Sequence, residues 1–469
     1  MEDIQLQDIN QVMEQSHQAF LTYRKLSERT RADFMRSIAA LLARHADELV
    51  ETAGEETNLP AARLHNELKR TQFQLTSYAD ACEKGDWMML RKVAATGNSP
   101  SFLKRMVPLG PVVVFGAANF PFAYSTAGGD TASALAAGCT VVVKAHPAHP
   151  RTGEKVAALI SQASNDTQVP LHTFQHVYGA SFEVGKTLVE HPLTKAVGFT
   201  GSLAGGRQLF DLAQQRPAPI PFFAEMSSIN PIFILPEKLK QNPEELAKIC
   251  AASVTLGVGQ FCTNPGVIVV PKIEELRRFI KSFETAIADS IPAEMLHTGI
   301  FQNYVEKRAN ALAQEDVELL AISSQEALYN QGIATLSRTT ADTFIKNKLL
   351  HQEVFGPFTI LVECEDDAEM LSVAQQMEGQ LTASIMATNQ DLENNSHLVE
   401  AAIDFAGRIV LNSVPTGVEV TPAMMHGGPY PASTDSRFTA VGADAILRFV
   451  RPVCFQNWTE EQLPLALTR

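Results

Sequence analysis

The chain has 469 residues, of which 45% are hydrophobic and 19% are charged. This length exceeds what one ordinary hydrophobic core requires and predicts two or three domains, and the composition is typical of a soluble globular enzyme. The formal net charge of −14, from 38 basic and 52 acidic residues, disfavours nucleic acid and anionic membrane surfaces as partners.

Cysteine usage and the apolar stretches indicate the compartment. The six cysteines are scattered and contain no CxxC pair, which predicts neither a zinc site nor a disulfide framework. Segment 1–5 is acidic and lacks the apolar core of a secretory signal. Between Met106 and Val143 the only charged residue is Asp130, but prolines interrupt any continuous membrane-spanning helix there. We therefore expect a protein of the reducing cytoplasm with no membrane partner.

The N-terminal part of the chain predicts helices followed by a hairpin. Residues 27–55 place apolar side chains near a period of 3.6, which predicts one amphipathic helix, and a second helical stretch follows Leu59-Pro60. Residues 88–107 contain two strand-like runs joined by the turn 97–100.

Strands and helices then alternate, which is typical of a parallel sheet with crossover helices. The predicted strands are 112–115, 141–143, 174–178 and 196–199. Asn119, Lys144 and Gly201 follow strand ends, so we expect them at the one edge where such sheets bind ligands. The loop 201–206 is a looser phosphate cradle than GxGxxG and leads into a helix whose first N–H groups can face an anion.

A second α/β unit is predicted from about residue 233, with strands at 358–363 and 409–412, and a strand or helix at 445–450 then returns to the first unit. Cys262 lies in a glycine-rich turn between a helical stretch and the apolar strand 267–270. Such a turn leaves backbone N–H groups available to an oxyanion, which suits a nucleophile. A small buried side chain is the alternative for a free cysteine.

Several segments together resemble the aldehyde dehydrogenase superfamily. They are 115–121, 143–144, 199–202, 222–231, 256–266 and 353–357. The resemblance runs in the expected order from about residue 20 to 450. Segments 144–150 and 224–231 look most like the branch of 2-oxoglutarate semialdehyde (2,5-dioxovalerate) dehydrogenases and a bacterial NADP-dependent fatty aldehyde dehydrogenase.

The resemblance implies an α/β fold with a Rossmann-type parallel sheet domain for the cofactor, a second α/β catalytic domain and a small oligomerisation arm. The corresponding boundaries are 1–87 and 107–232 for the cofactor domain, 233–435 for the catalytic domain, and 88–106 with 436–469 for assembly. The implied assembly is a homodimer or homotetramer. For the arm, an ordinary surface hairpin explains the pattern equally well.

The resemblance also assigns the catalytic residues. The Cys262 thiolate would add to an aldehyde, with the Asn119 amide and the Cys262 backbone N–H stabilising the oxyanion. Loss of hydride would leave a thioester, which water activated by Glu225 would cleave. A helix or turn cap is the alternative for Glu225. His426 would assist thiolate formation or proton transfer, and a structural loop histidine is an equal alternative.

The family pattern further implies a nicotinamide cofactor. The residues assigned to it are Lys144, Ala145, His146, Pro147, Gly201, Ser202, Gly206, Glu353 and Phe355. Pro147 stands where the commoner pattern has an acid, and no acid follows Lys144 until Glu154. Because such an acid repels a 2′-phosphate, we expect NADP to be preferred and NAD to be a working alternative. No metal is expected, because His146 and His149 lie between prolines without further ligands.

The predicted function is oxidation of an aldehyde to a carboxylic acid, with 2-oxoglutarate semialdehyde as the expected substrate. A broad or long-chain (fatty) aldehyde dehydrogenase is the first alternative. A CoA-acylating dehydrogenase is less favoured, because that chemistry needs no water-activating Glu225. A catalytically silent homologue is disfavoured by the joint presence of Cys262, Glu225 and Asn119.

Overall fold

The computed structural model describes residues 3–459 and 462–463. The chain divides into two compact units. The first comprises Met1–Glu225, Val420–Met424 and Arg437–Arg469, and the second comprises Met226–Glu419 and Met425–Ser436. Predictions that fall on residues 1–2, 460–461 and 464–469 lie outside the described residues.

The first unit contains a parallel sheet with helices packed against it. Its helices are α1 (Leu6–Tyr23), α2 (Glu28–Arg44), α3 (Ala46–Thr57), α4 (Ala61–Lys84), α5 (Gly129–Ala137), α6 (Pro150–Asp166), α7 (Phe182–Glu190) and α8 (Leu203–Gln215). Its strands up to Glu225 are β1 (Arg91–Val93), β2 (Phe102–Pro108), β3 (Val112–Phe115), β4 (Val141–Lys144), β5 (Phe174–Val177), β6 (Ala196–Thr200) and β7 (Phe222–Glu225).

The parallel sheet has the strand order β5-β4-β3-β6-β7. Its strands pair in parallel, with Phe115 opposite Lys144 and Thr200 opposite Glu225 at their carboxyl ends. The predicted strands and crossover helices are therefore confirmed. Because all carboxyl ends lie at one edge, Asn119, Lys144 and Gly201 follow strands that end along that edge, as expected.

The single helix predicted over 27–55 is wrong, because the chain bends at His45. This residue has φ −103° and ψ 18°, and its N–H closes α2 on the Leu41 carbonyl before α3 begins. Asp47 and Glu48 in the first turn of α3 stabilise a helix start through the helix dipole, as Arg44 stabilises the end of α2. Apolar side chains keep the helical spacing across this bend, so the sequence pattern does not indicate it.

The predicted hairpin is present as antiparallel strands β1 and β2, with Val93 opposite Phe102. The C-terminal segment contributes a 3₁₀ helix (Ala443–Phe449) followed by β17 (Val450–Gln456). Strand β17 pairs antiparallel with β2, which gives a small sheet in the order β1-β2-β17. The two segments expected to act in assembly thus form one sheet within the chain.

The second unit is built around its own mixed sheet. Its helices are α9 (Pro236–Gln241), α10 (Pro243–Thr255), α11 (Leu276–Ala288), α12 (Thr298–Leu312), α13 (Ala341–Lys346), α14 (Asp367–Gln375), α15 (Asn389–Asn394) and α16 (Ser396–Phe405). Its strands are β8 (Ile232–Ile234), β9 (Val267–Pro271), β10 (Ala293–Glu294), β11 (Glu318–Ile322), β12 (Gln331–Gly332), β13 (Thr335–Thr340), β14 (Phe358–Cys364), β15 (Gln380–Met386) and β16 (Ala406–Leu411).

The main sheet of this unit has the order β11-β13-β14-β9-β8-β15-β16 and is parallel except at β11. Alternate side chains of its strands enter different cores, with Ile360 and Val362 on one face and Leu361 on the other. This burial on both faces explains why the strands read as continuous apolar runs. Among residues 3–459 and 462–463, no helix is long and apolar enough to cross a bilayer.

Candidate active site

The cysteine turn joins α10 to β9 as the sequence predicts. A 3₁₀ turn at Leu256–Gly259 holds Gly257, Val258 and Gly259 at positive φ, which is unusual for a β-branched residue such as Val258. A Cβ at Gly259 would collide with the backbone carbonyl of Gly356. The turn therefore depends on a close approach between two backbone segments that only glycine permits.

Two asparagines hold the backbone around Cys262. Asn230 donates its side-chain amide to the carbonyls of Cys262 and Asn264, at 2.8 and 3.0 Å. Asn264 in turn donates to the Gly356 carbonyl at 3.2 Å. The bonds from Asn230 fix the Cys262–Thr263 and Asn264–Pro265 peptides, directly after the Cys262 N–H, while the Cys262 side chain stays half-buried. An ordered backbone of this kind favours preorganised binding of an oxyanion.

His426 lies beside the thiol. Its Nε2 is 3.8 Å from the Cys262 Sγ, and the histidine is only 1% exposed. The segment that carries it packs tightly, because a Cβ at Gly428 would collide with the Gln380 carbonyl. Removal from water strengthens any charge interaction between an imidazole and a thiol.

The Glu353 segment lies next to the cysteine turn within the second unit. The Glu353 carboxylate accepts a hydrogen bond from the Ser227 hydroxyl at 3.0 Å, and Lys307 donates to the Glu353 carbonyl at 2.9 Å. Phe355 is half-buried, and Gly356 packs so closely on the Tyr304 ring that a Cβ would collide with it. Both assigned side chains are therefore carried on a tightly packed loop.

In the first unit, α4 supports the loop that carries Asn119. Arg63 donates to the Asn119 carbonyl at 2.8 Å, and Asn119 is 8% exposed. Glu67 accepts from the N–H groups of Phe122 and Ala123, at 2.7 and 2.9 Å. Burial raises the pKa of Glu67 to about 7, and these two backbone donors oppose that rise.

The segment assigned to the adenosine end of the cofactor follows β4. Lys144 is half-buried, Ala145 is buried, His146 is half-buried and Pro147 is exposed. Burial lowers the pKa of the Lys144 ammonium, and the charge of Asp3 opposes this shift. An ammonium held in partial burial gains from an anionic or hydroxyl ligand.

Arg151 and His146, in the same segment, already contact other side chains. Arg151 contacts Glu55 at 3.1 Å and Glu56 at 3.4 Å. His146 accepts the Ala148 N–H at 3.1 Å and stacks on His149 at 5.2 Å between ring centroids. Lys144 is therefore the cation of this segment best placed to receive an anion.

The loop after β6 has the features of a phosphate cradle. A Cβ at Gly201 would collide with the Phe199 ring, and the Ser202 hydroxyl caps α8 by accepting the Gly205 N–H at 3.2 Å. The Gly206 N–H donates to the Ser202 carbonyl at 2.9 Å, and the first turn of α8 contains no acid that would neutralise the positive end of the helix dipole. Together with Lys144, this helix end fits the phosphate and ribose groups of a nicotinamide dinucleotide.

Glu225 ends β7 beside this loop. It is 4% exposed, and its backbone carbonyl accepts the Gly201 N–H at 3.1 Å. The carboxylate that resemblance assigns as base and the glycine assigned to the cofactor are thus tied together by neighbouring strands of one sheet.

Residues 1–434 match the family model described as the aldehyde dehydrogenase family. The chain belongs to the aldehyde dehydrogenase family. It is therefore an oxidoreductase that acts on aldehydes with NAD or NADP.

Individual aldehyde dehydrogenases are similar over nearly the whole chain. An alpha-ketoglutaric semialdehyde dehydrogenase of Acinetobacter baylyi is 42% identical over 98% of this chain and 88% of its own length. Alpha-ketoglutaric semialdehyde dehydrogenase 2 of Azospirillum brasilense is 41% identical over 98% and 89%. The solved structure of a 3,6-anhydro-L-galactose dehydrogenase in complex with NAP has a TM-score of 0.83 and 21% identity, over 97% of this chain and 92% of that one.

The supporting residues of the aldehyde dehydrogenase site were not foreseen. The Ser228 hydroxyl and the Ile229 N–H both donate to the Gln380 side-chain oxygen, at 2.9 and 2.7 Å, which anchors the segment that follows Glu225. Asn230 falls in a motif that the sequence singled out, and its place before Pro231 could have marked it. Gln380 has no local signal, because it lies about 150 residues away on β15.

Proposed function

We propose that the protein oxidises 2-oxoglutarate semialdehyde (2,5-dioxovalerate) to 2-oxoglutarate with NAD(P). The observation that carries this proposal is the 42% and 41% identity, each over 98% of the chain, to two alpha-ketoglutaric semialdehyde dehydrogenases. The proposal includes the domain organisation predicted from the sequence. Residues 1–87 and 107–232 bind the cofactor, residues 233–435 carry out catalysis, and residues 88–106 and 436–469 act in assembly.

In the proposed mechanism, Cys262 is the nucleophile. Its thiolate forms a carbon–sulfur bond with the aldehyde, and the carbonyl π electrons move to oxygen. The Cys262 backbone N–H and the Asn119 amide stabilise this oxyanion, and losing one such donor typically lowers the rate about 10²- to 10³-fold. The hydrogen bond from Asn230 to the Cys262 carbonyl supports this role, because it orders the backbone directly after the Cys262 N–H.

A bound nicotinamide cofactor would supply the hydride acceptor, and loss of hydride from the Cys262 adduct would leave a thioester on this residue. Glu225 then removes a proton from water, which attacks the thioester carbon and expels the thiolate. The burial of Glu225 supports this role, because a desolvated carboxylate is a stronger base. His426 assists as a proton acceptor for the Cys262 thiol, a role that the 3.8 Å contact supports.

We further propose that NADP is preferred over NAD. Lys144 would bind the adenosine ribose and its 2′-phosphate, Gly201, Ser202 and Gly206 the pyrophosphate, and Glu353 with Phe355 the nicotinamide half. The absence of an acid at Pro147 supports the preference, since the usual repulsion of a 2′-phosphate is missing there. His146 adds little to this, because its ring already stacks on His149.

A cofactor-reduction assay tests the function. We expect 2-oxoglutarate semialdehyde to give the highest kcat/KM among short, long-chain and carboxylated aldehydes, and NADP to exceed NAD. A higher value with long-chain aldehydes would replace the proposed substrate by fatty aldehydes. CoA-dependent product formation would overturn hydrolysis by Glu225.

Two variants test the mechanism in the same assay. Cys262→Ala should abolish oxidation and still bind NADPH, because only the thiolate forms a covalent bond. Glu225→Gln should give a rapid burst of reduced cofactor followed by slow turnover, because only hydrolysis needs the base. Equal slowing of burst and turnover would instead assign Glu225 a structural role.

A further inference from the structure

The N-terminal segment binds the loop that precedes α7. The Asp3 carboxylate accepts hydrogen bonds from the N–H groups of Ala180 and Ser181, at 2.8 and 3.2 Å. Beside it, the Ile4 N–H donates to the Tyr178 carbonyl at 2.9 Å. The Asp3 carboxylate thus binds two N–H groups just before α7, at the carboxyl edge of the parallel sheet, where α/β folds bind their ligands.

Helix α1 fixes this segment on the sheet. The Gln175 side chain donates to the Val12 carbonyl at 2.6 Å, and the Ser16 hydroxyl donates a hydrogen bond to the Thr140 hydroxyl at 2.9 Å. Ile9 and Met13 are fully buried beneath the helix. Because α1 begins three residues after Asp3, its anchoring also determines where the Asp3 carboxylate lies.

Lys144 lies opposite Val177 at the carboxyl ends of β4 and β5, and the next residue, Tyr178, accepts the Ile4 N–H, so the backbone brings Asp3 to the same edge as Lys144. Hydrogen bonds from Ala180 and Ser181 lower the pKa of Asp3, and the Lys144 ammonium adds to that effect. In the opposite direction, burial lowers the pKa of Lys144 and the negative charge of Asp3 opposes it. The lysine proposed to receive the 2′-phosphate therefore has an acid in its electrostatic surroundings.

This acid comes from outside the segment where an acid usually stands. The sequence from Lys144 to Glu154 contains none, and Pro147 takes the usual acidic position. Glu56 is near this segment but is already engaged, because it accepts the N–H groups of Arg151 and Thr152 at the start of α6. Asp3 differs from Glu56 in that its charge acts on Lys144 itself.

We propose that Asp3 is a specificity-determining residue, which opposes binding of the cofactor's 2′-phosphate near Lys144 and so moderates the preference for NADP over NAD. The inference rests on the proposed role of Lys144. A carboxylate near an anion-binding lysine competes for its charge and repels a doubly charged phosphate, whereas the 2′-hydroxyl of NAD carries no charge to repel. The N-terminal segment thereby replaces part of the function of the missing acid.

Binding of two cofactor fragments tests the inference without turnover. Adenosine 2′,5′-bisphosphate and adenosine 5′-monophosphate differ only in the 2′-phosphate, and calorimetry gives the ratio of their dissociation constants. Asp3→Asn removes the charge and keeps an oxygen that can accept a backbone N–H. We expect it to tighten the bisphosphate about three- to tenfold and to leave the monophosphate unchanged, an effect that shrinks in high salt.

Two further variants separate the possible failures. Asp8→Asn removes an acid of the same exposed segment, from the first turn of α1, and should leave the ratio unchanged. Lys144→Met should abolish the advantage of the bisphosphate. If Lys144→Met loses it but Asp3→Asn matches wild type, or changes both ligands equally, the inference about Asp3 is wrong and the cofactor site stands. If Lys144→Met retains the advantage, the proposed site of the 2′-phosphate is wrong, and the inference with it.

Discussion

Within the second unit, the Sγ of Cys262, the proposed nucleophile, lies 3.8 Å from the Nε2 of His426. A thiol attacks a carbonyl only as a thiolate, so a neighbouring imidazole that takes the proton raises the reactive fraction at neutral pH. The sequence left His426 equally open to a structural role. The 3.8 Å distance favours the chemical one.

We predict that His426→Asn lowers the rate at which iodoacetamide alkylates Cys262 at pH 7, about three- to tenfold, because the thiol loses its proton acceptor. Higher pH should restore the rate, since bulk base then removes the proton. His397→Asn, at an exposed histidine of the same unit, is the control. An unchanged alkylation rate in His426→Asn would make the histidine structural.

Glu67 supports the Asn119 loop, and its contribution to the free energy of unfolding depends on pH. Burial raises its pKa from an ordinary value near 4.5 to about 7, so the folded protein binds the proton more tightly than the unfolded chain does. The protonated Glu67 therefore makes its full contribution to the free energy of unfolding below about pH 4.5. That contribution is lost as the pH rises through about 7. A glutamine would keep the acceptor for both backbone N–H groups and carry no charge.

We predict that Glu67→Gln removes the loss of unfolding free energy that ionisation of Glu67 causes as the pH rises. Relative to wild type, its free energy of unfolding should gain on the order of 2 to 4 kcal/mol between pH 4.5 and pH 8. Denaturant unfolding across that range measures the gain, and Glu154→Gln, at an exposed glutamate, should follow the wild-type profile. Parallel profiles for wild type and Glu67→Gln would contradict the buried, protonated carboxyl.

At the scale of elements, the cysteine turn depends on its contact with the Glu353 segment. Gly259 has φ +64° and touches the backbone of Gly356 and Pro357, so both conformation and space require glycine. Gly97 has a similar φ of +56° in the hairpin turn but nothing lies within 4 Å of a Cβ there. Comparing alanine substitutions at Gly97 and Gly259 therefore separates the free-energy cost of the left-handed conformation from the cost of the steric collision.

We predict that Gly97→Ala lowers the free energy of unfolding by about 1 kcal/mol and leaves turnover unchanged, because only the left-handed conformation is penalised. Gly259→Ala should cost several-fold more and lower kcat strongly, because backbone atoms must also move around Cys262. Denaturant unfolding and steady-state kinetics measure both. Equal costs at the two glycines would show that the turn has room to adjust.

At the scale of the whole molecule, the small sheet β1-β2-β17 supports the proposed homodimer or homotetramer. Strand β1 is an edge strand that carries Val93, which is 59% exposed, and unpaired edges favour pairing with another chain. The nearby Met89 and Leu90 are 46% and 40% exposed. Apolar exposure at a strand edge is typical of a subunit contact.

We predict that light scattering at micromolar concentration gives at least twice the chain mass of 51.1 kDa. Val93→Glu should shift the mass toward the monomer, because a charge would be buried at the contact. Ile291→Glu, at an 82% exposed residue of the second unit, should leave the mass unchanged. A monomeric wild type would make the hairpin an ordinary surface feature.

The sequence by itself determined the family, the alternation of strands and helices, and the turn that carries Cys262. These features leave local signals: apolar runs mark strands buried on both faces, and glycines mark turns where the backbone needs positive φ or close approach. The same locality produced the error at His45, where the helical period of residues 27–55 continues across a bend.

Only the tertiary structure decided which distant residues support or modify the site. Asp3 reaches Ala180 across 177 positions, Gln380 reaches Ser228 across 152, and His426 reaches Cys262 across 164. Hydrogen bonds and charges act through space, so a partner brought close by folding leaves no periodicity or spacing in the chain. The missing acid after Lys144 was visible in the sequence, but the acid that lies near Lys144 in the folded chain was not.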